Sequence, residues 1–154
     1  MNKSILNSGM EMQYRLLLLL SALPTDDYSQ LWLSGMDFIV EYGHTFGLTE
    51  ENLHGDSWMK FTEYATKIVN VTEGLHALTF RGWVKVIPGK NGFTYRITAS
   101  GTEVAEAFAT SYALEYRDIA QIAFDQYGDM NEKALDKMIR RKALTSLEQE
   151  VPNG

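Results

Sequence analysis

The stretch from Arg81 to Gly101, "RGWVKVIPGKNGFTYRITASG", decides the fold. Two short runs rich in Val, Ile, Tyr and Phe flank the pair Asn91-Gly92, which is a strong signal for a β-hairpin. In the second run apolar and polar side chains alternate from Phe93 to Thr98, so we expect one face of this strand to be buried and the other to face solvent. The stretch therefore predicts a hairpin inside a chain whose other patterns are helical.

The predicted hairpin is basic, although the chain as a whole is acidic. Residues 81–101 contain four cations and no acid, whereas the formal net charge of all 154 residues is −6. Phosphate contacts dominate affinity for nucleic acids, so an acidic protein binds them only through such a local patch. We therefore expect contact with a DNA backbone or an acidic partner through the hairpin cations, which are Arg81, Lys85, Lys90 and Arg96. The alternative is that they pair with acids of the same chain or stay solvated.

Four helices are predicted before the hairpin. Ser8-Gly9-Met10-Glu11 matches a capping box, and the helix that it opens carries Leu16 to Leu20 around all its sides, which predicts burial on most faces and an end near Pro24. The second helix is expected to start from the N-cap chemistry of Thr25-Asp26-Asp27 and to stop at Gly47. Its apolar stripe consists of Trp32, Met36, Ile39 and Val40.

A third helix is predicted over Trp58 to Val69, and a fourth from the capping box Asn70-Val71-Thr72-Glu73 to Gly82.

The region after the hairpin predicts two more helices. Another capping box, Ser100-Gly101-Thr102-Glu103, opens a long helix from Thr102 to about Tyr127, which Gly128 ends. Asp129-Met130-Asn131-Glu132 opens the last helix, with an apolar stripe of Leu135, Met138 and Ile139, and the tail from Ser146 is expected to be loose.

This order of elements predicts a mainly α fold with a small β-hairpin, namely a winged-helix domain with additional N- and C-terminal helices. We expect residues 1–128 to form the winged-helix-like domain, including the long helix after the hairpin. Residues 129–154 would then supply the last helix and a loose tail, packed on the same domain.

Neither catalytic nor metal-binding spacing is found in the sequence. The three histidines, His44, His54 and His76, show no HxxxH or HExxH spacing, and the chain has no cysteine, no GxSxG, no GxxxxGK[ST] and no GxGxxG. We therefore expect no enzyme activity, no metal and no cofactor.

The lack of cysteine fits a reducing cytoplasm. The longest aliphatic run is too short for a membrane span, so a cytoplasmic protein without membrane contact is expected.

The helix before the hairpin would enter the major groove if this fold read DNA sequence. Between residues 60 and 80, Lys60 and Lys67 are balanced by Glu63 and Glu73, so sequence-specific DNA binding is not expected. A second basic group, Arg140-Arg141-Lys142, is predicted at the end of the last helix. There it either complements the helix dipole or contacts an acidic partner.

Four segments in this order and spacing resemble the middle component of ABC-three-component systems, the bacterial anti-phage operons also called Lamassu, and in particular its small winged-helix type. They are "ILNSGMEMQYRLLLLLSAL", "LWLSGMDFIVEYG", "GLHALTFRGWVKVIPGKNGFTYRITASG" and "YGDMNEKALDKMI". The resemblance covers about Ser4 to Arg141. Family members often carry an Arg-rich segment in the third and fourth helices, where this chain has "KFTEYATKIVNVTEG".

The resemblance implies an accessory subunit without chemistry of its own. In that family the subunit assembles with an SMC-like ABC ATPase, which senses DNA structure, and with an effector, often a nuclease, which it helps to hold inactive until phage DNA is sensed. DNA would then be reached through the complex. The fold alone suggests a different function, a small winged-helix transcription regulator that binds DNA as a dimer.

Overall fold

The computed structural model describes residues 9–53, 55 and 60–150, with the backbone alone for residues 60, 61 and 146–150. Within these ranges the chain forms six helices and one three-stranded antiparallel sheet. The helices are α1 (Gly9–Ala22), α2 (Gln30–Glu41), α3 (Lys60–Phe80), α4 (Ala99–Glu106), α5 (Ser111–Tyr127) and α6 (Glu132–Glu150). The strands are β1 (Tyr28–Ser29), β2 (Val84–Gly89) and β3 (Gly92–Ile97). The predicted mainly helical class with a small hairpin is confirmed, and the sheet has one strand more than predicted.

Helix α1 lies at the centre of the molecule. Its five leucines, Leu16 to Leu20, are each at most 2% exposed, because α3, α4 and α5 pack around this helix. The burial predicted from the leucine run is therefore confirmed, and α1 ends at Ala22, before Pro24 as predicted. Ser8 of the predicted capping box lies outside the described residues.

Helix α2 starts later than predicted. The N-cap is Ser29, whose hydroxyl accepts a hydrogen bond from the Trp32 backbone amide at 3.2 Å, so the prediction of a cap at Thr25-Asp26-Asp27 is wrong. The reason is tertiary: Tyr28 and Ser29 are extended as β1 and pair with β3, so the helix begins only after them.

The same helix also ends earlier than the predicted stop at Gly47. It ends at Glu41, and the chain then folds back on itself, with the Leu48 amide bonded to the Gly43 carbonyl at 2.8 Å and the His44 amide to the Asn52 side chain at 2.9 Å. The predicted stripe is confirmed, since all four of its members are buried: Trp32, Met36, Ile39 and Val40.

Helix α3 is one continuous helix where two were predicted. Its buried side chains recur every three or four residues across the predicted break: Tyr64, Lys67, Val71, Leu75 and Leu78. This single stripe packs on α1 and α2, so tertiary packing overrides the local capping box at 70–73. Asn70, the predicted cap, lies inside this helix, as does Thr72, whose hydroxyl donates to the Ile68 carbonyl at 3.1 Å. Trp58 and Met59 of the predicted third helix lie outside the described residues.

The predicted stop at Gly82 is confirmed by the geometry of the helix end. Gly82 has φ +78°, and its amide bonds to the Thr79 carbonyl at 3.0 Å. The Trp83 amide bonds to the Leu78 carbonyl at 3.1 Å, which completes a Schellman motif. This motif directs the chain from α3 into β2.

The long helix predicted over 102–127 is wrong, because two helices, α4 and α5, occupy this region. Each has a threonine N-cap: Thr98 accepts from the Gly101 amide at 3.0 Å, and Thr110 accepts from the Ala113 amide at 3.1 Å. The cap predicted at Ser100 is therefore displaced to Thr98. Arg117 donates to the carbonyls of Ala105 and Phe108, so the end of α4 is satisfied and the break is stable.

Helix α6 starts as predicted but runs further. Asn131 caps it by accepting from the Ala134 amide at 2.8 Å, and Leu135 and Ile139 pack closely over Gly35 of α2. The helix continues to Glu150, so the loose tail predicted from Ser146 is wrong over residues 146–150. The segment contains neither Gly nor Pro before residue 152 and is rich in good helix formers. None of the helices in the described ranges is long and apolar enough to cross a membrane.

The sheet has the strand order β1-β3-β2. Tyr95 and Ile97 of β3 are buried, as the alternating pattern predicted, but Phe93 is 62% exposed. Phe93 lies next to the hairpin turn, and β1 pairs only with Thr94 and Tyr95, so the third strand does not reach Phe93 and its predicted burial is wrong.

Candidate interaction surface

The hairpin turn is the most exposed part of the predicted basic stretch. Gly89 pairs with Gly92, and Lys90 and Asn91 connect them. Gly92 has φ +118°, a conformation that side-chain-bearing residues rarely adopt, which explains the glycine at this position. The turn therefore holds the Lys90 side chain at the tip of a rigid hairpin.

Lys85 and Arg96 are brought together by the strand register. They are Cα partners in the β2–β3 ladder, so both side chains lie on the same face of the sheet. The Arg96 guanidinium donates to Asp27, which lies just before β1, with Nε and Oδ1 2.6 Å apart. Part of the predicted positive patch is thus neutralised by an acid of the same chain. This is the alternative that the sequence left open for the four cations, and it holds for Arg96.

The other two hairpin cations lie at opposite ends. Arg81 lies at the base, where its guanidinium stacks 5.1 Å from the Trp83 ring centre and donates to the Gln13 side chain at 3.2 Å. Lys90 lies at the tip, about 20 Å away along β2 at the usual rise of a strand. Within the described ranges, Lys85 and Lys90 form no ion pair. These two lysines are the hairpin charges open to a partner.

The second predicted basic group has mixed roles. It lies in the middle of α6 and not at its end, because the helix continues to Glu150, so the prediction that it complements the helix C-terminus is wrong. Arg140 pairs with Asp136 at 3.0 Å and lies 5.4 Å from the ring centre of Tyr64. Since the Tyr64 hydroxyl also donates to Asp136 at 2.7 Å, Arg140 helps to attach α6 to α3.

The remaining two cations of this group are exposed. Lys142 lies 5.7 Å from the ring centre of Phe46, and Arg141 faces solvent. A partner contact through this group therefore depends on Arg141 and Lys142.

A buried ionic cluster, which the sequence did not indicate, joins four helices. Asp37 of α2 accepts from Arg15 of α1 at 3.1 and 2.8 Å, and from the Lys67 ammonium of α3 at 2.7 Å. The Tyr116 hydroxyl of α5 donates to it at 2.6 Å, and Lys67 also pairs with Glu41 at 2.7 Å. We call Arg15, Asp37, Glu41, Lys67 and Tyr116 the Asp37 cluster. Its two cations and two carboxylates balance.

The electrostatics of the Asp37 cluster follow from burial and pairing. Burial by itself would raise the pKa of Asp37, but the charges of Arg15 and Lys67 outweigh it and hold that pKa well below its usual range. Burial would likewise lower the pKa of Arg15, and the charge of Asp37 raises it instead. The pKa of Tyr116 is raised, first by burial and then by the negative charge of Asp37. The cluster is therefore fixed as ion pairs with a neutral tyrosine.

The cluster changes the outer face of α3. Lys67, which the sequence offered as a cation for contacting DNA, points inward and is only 6% exposed. No other Lys or Arg occurs between Thr62 and Phe80. The helix that precedes the hairpin therefore presents no cation over this length, which agrees with the expectation that it does not read DNA sequence.

A groove of 710 Å³ lies between the hairpin tip and the start of α2. Tyr28 and Trp32 stack in its wall with their ring centres 4.7 Å apart, and the Trp32 indole N–H donates to the Met130 carbonyl at 3.1 Å. The charged side chains along it, Asp27, Lys90 and Glu132, are of mixed sign and do not select one ligand class.

The two histidines that the structure describes, His44 and His76, lie in different segments. The His44 ring lies 3.1 Å from the Thr49 carbonyl, His76 is exposed on α3, and His54 lies outside the described residues. In the part of the chain that the structure covers, no group of three or more His, Cys, Asp or Glu side chains could hold a metal ion. Every buried side-chain nitrogen and oxygen in that part has a hydrogen-bond partner.

Comparison with protein families identifies the class of protein to which this arrangement belongs. Residues 5–149 match the model of the family described as ABC-three component (ABC-3C) system Middle Component 2. The match covers nearly the whole chain, so the chain belongs to this family and is a component of an ABC-three-component system. The comparison with curated proteins finds no match, and neither does the comparison with solved structures.

Proposed function

We propose that the chain is a non-catalytic accessory subunit of a Lamassu-type anti-phage system, which bridges an SMC-like ABC ATPase and an effector, often a nuclease. In this proposal it helps to hold the effector inactive, in the cytoplasm, until phage DNA is sensed. The observation that carries it is the family match over residues 5–149, since a middle component works within a multi-subunit system.

The sheet topology supports the winged-helix part of the proposal. The chain runs α1-β1-α2-α3-β2-β3, and the short β1 pairs with β3 on the side away from β2. This is the arrangement of a small helical domain whose last two strands form the wing. The wing is then the β2–β3 hairpin, and α3 is the helix that precedes it.

The Asp37 cluster has the geometry of a structural group and not of a catalytic one. An acid or base in catalysis must reach the proton that it transfers. Asp37 is fully buried and already accepts hydrogen bonds from Arg15, Lys67 and Tyr116. Its geometry serves to join four helices.

We assign the hairpin cations an auxiliary contact in the assembled complex, to a DNA backbone or to an acidic protein surface. Lys85 and Lys90 are the side chains free to make it. These two charges would add to binding that other subunits supply, because non-specific DNA affinity grows with the number of phosphates contacted.

A second candidate function is that of a transcription regulator, which the winged-helix interpretation of the fold favours. A regulator of this class would be a symmetric dimer and would bind its own promoter with steep salt dependence. The outer face of α3 argues against it, since no Lys or Arg from Thr62 to Phe80 points outward.

Pairwise co-expression tests the proposal. The chain, carrying an affinity tag, is expressed with the ABC ATPase of its system or with the effector, and the purified complexes are analysed by light scattering. We expect a stable complex with each subunit and inhibition of the effector by the chain. A chain that binds neither subunit but forms a dimer on its promoter DNA would contradict the proposal and establish the regulator.

A further inference from the structure

We propose that the outer face of α3 is the docking site for an amphipathic helix of another subunit of the system, one that carries apolar side chains beside a basic residue. The proposal rests on the function proposed above and names the surface and the chemistry of the contact. We call the surface the α3 outer face and define it by its exposed residues Thr62, Thr66, Val69, Glu73, His76 and Phe80.

The spacing of these residues makes one continuous strip. They recur every three or four positions, so they lie along one side of the helix, opposite the stripe that packs on α1 and α2. The strip extends from Thr62 to Phe80, the last 19 residues of α3, which is about 27 Å at the usual helical rise. A strip of this length along one side of a helix is suited to contact with a second helix.

Two apolar side chains of the strip are largely exposed to solvent and so contribute little to the core. Phe80 is 94% exposed, the highest value among the large hydrophobic residues described, and Val69 is 58% exposed. They lie eleven residues apart, about 16 Å along the helix. Exposed aromatic side chains of this kind are enriched among the anchors of protein interfaces.

The charge of the strip indicates which kind of partner would bind it. Glu73 lies between the two apolar points, and the one lysine of this segment, Lys67, is turned inward to Asp37 and Glu41. Because the strip combines an acid with apolar anchors, it repels a nucleic acid backbone and complements a protein helix with a basic residue between apolar ones. The hairpin, with its lysines, has the opposite character, so the two surfaces suit different contacts.

Two variants with matched controls test this docking site. Phe80→Gln removes the aromatic anchor without a charge change, and Ile122→Gln does the same at an exposed position of α5. Glu73→Lys reverses the charge in the strip, and Glu115→Lys reverses one on the exposed side of α5. All four positions are exposed, so each variant is expected to unfold within about 2 °C of the wild type. The affinity of each purified variant for the separately purified ABC ATPase and effector is measured by titration calorimetry.

We expect Phe80→Gln to weaken binding to one of the two subunits at least tenfold and Glu73→Lys at least threefold, with both controls equal to the wild type. If the wild type binds a subunit and both variants bind it with the same affinity, the proposed docking site is overturned while the proposed function stands. A homodimer that Phe80→Gln dissociates, with subunit affinity unchanged, would also overturn it and assign the face to a second copy. Failure of the wild type to bind either subunit would remove the proposed function itself.

Discussion

Asp37 accepts hydrogen bonds from the side chains of three other helices and so links α2 to α1, α3 and α5. Arg15, Lys67 and Tyr116 all direct their polar atoms to its two oxygens, at 2.6 to 3.1 Å. Each of these groups would be costly to bury alone. Together these bonds tie α1, α3 and α5 to α2 at one buried carboxylate.

We predict that Asp37→Asn destabilises the protein by about 3–5 kcal/mol, because it leaves Arg15 and Lys67 buried without their shared counter-charge. The control Asp125→Asn, on the exposed side of α5, is expected to stay within about 0.5 kcal/mol of the wild type. Urea unfolding at pH 7 measures both. Equal stability of the two variants would mean that the Asp37 cluster contributes nothing to the fold.

The same substitution predicts a pH dependence. Since the folded protein lowers the pKa of Asp37, its contribution to stability is present in full above the ordinary Asp pKa of about 3.9. The contribution of Asp37 is lost as the pH falls from about 3.9 through the lower pKa that this carboxyl has in the folded protein. The stability gap between wild type and Asp37→Asn should therefore be constant from pH 5 to 7 and narrow below about pH 4, as measured by unfolding at a series of pH values. A gap that already closes between pH 7 and 5 would contradict this assignment of charge.

The Asp37 cluster could not be predicted from the sequence, although two of its charged residues stand out there. Arg15 directly precedes the leucine run, and Asp37 lies within the apolar stretch of α2. A charge inside a buried stripe requires a partner, but the pattern does not say which one. Arg15 and Asp37 are 22 residues apart and meet only through the packing of their helices.

At the scale of elements, side-chain caps set the boundaries more than the length of each helical pattern does. Thr98 shows this at the exit of the hairpin, where its hydroxyl accepts from the Gly101 amide at 3.0 Å and donates to the Gly82 carbonyl at 2.8 Å. One side chain thus starts α4 and ties it to the end of α3.

Thr98→Ala should consequently lower stability by about 1–2 kcal/mol, because the first turn of α4 and the Gly82 carbonyl both lose a partner. Thr98→Ser keeps the hydroxyl and is expected to lose less than about 0.5 kcal/mol. Thermal unfolding followed by circular dichroism compares the two. If Ala and Ser variants unfold together, the hydroxyl is not the cap.

The sequence predicted which segments are helical better than where they begin and end. Burial of Leu16 to Leu20 and the hairpin around Gly92 follow from local patterns, and both are present. The boundaries of α2 and α3 could not be predicted locally, because the pairing of Tyr28 with Tyr95 and the stripe from Tyr64 to Leu78 depend on distant residues. The sequence left open that Arg96 pairs with an acid of this chain, but it could not identify Asp27 as the partner, since the pairing depends on β1, which is two residues long.

For the hairpin as an element, we predict that Lys85→Glu with Lys90→Glu weakens the binding of duplex DNA by the assembled complex about tenfold at physiological salt. Each lost phosphate contact should reduce the slope of log affinity against log salt by about 0.9. Lys133→Glu, an exposed charge reversal on α6, is the control and should leave the slope unchanged. Fluorescence anisotropy over a salt series measures the affinity of each complex for duplex DNA and its salt dependence. An unchanged slope in the double variant would show that the hairpin does not contact DNA, and a loss of subunit binding would assign it to an acidic protein surface.

For the whole molecule, the distribution of charge separates two surfaces. The hairpin presents Lys85 and Lys90, while the α3 outer face presents Glu73 between exposed Val69 and Phe80. The proposed bridging function would use two surfaces of different character, and these two lie on adjacent elements, since β2 follows α3 through Gly82. The centre of the molecule, with its leucines and the Asp37 cluster, holds these surfaces in a fixed relation.

The most direct test of the account is whether the ABC ATPase retains the effector only when this chain is present. The ATPase, carrying an affinity tag, is co-expressed with the effector and with or without the chain, and the eluted complexes are weighed by light scattering. The account predicts a three-component complex with the chain and ATPase alone without it. Equal retention of the effector in both preparations would contradict the bridging function.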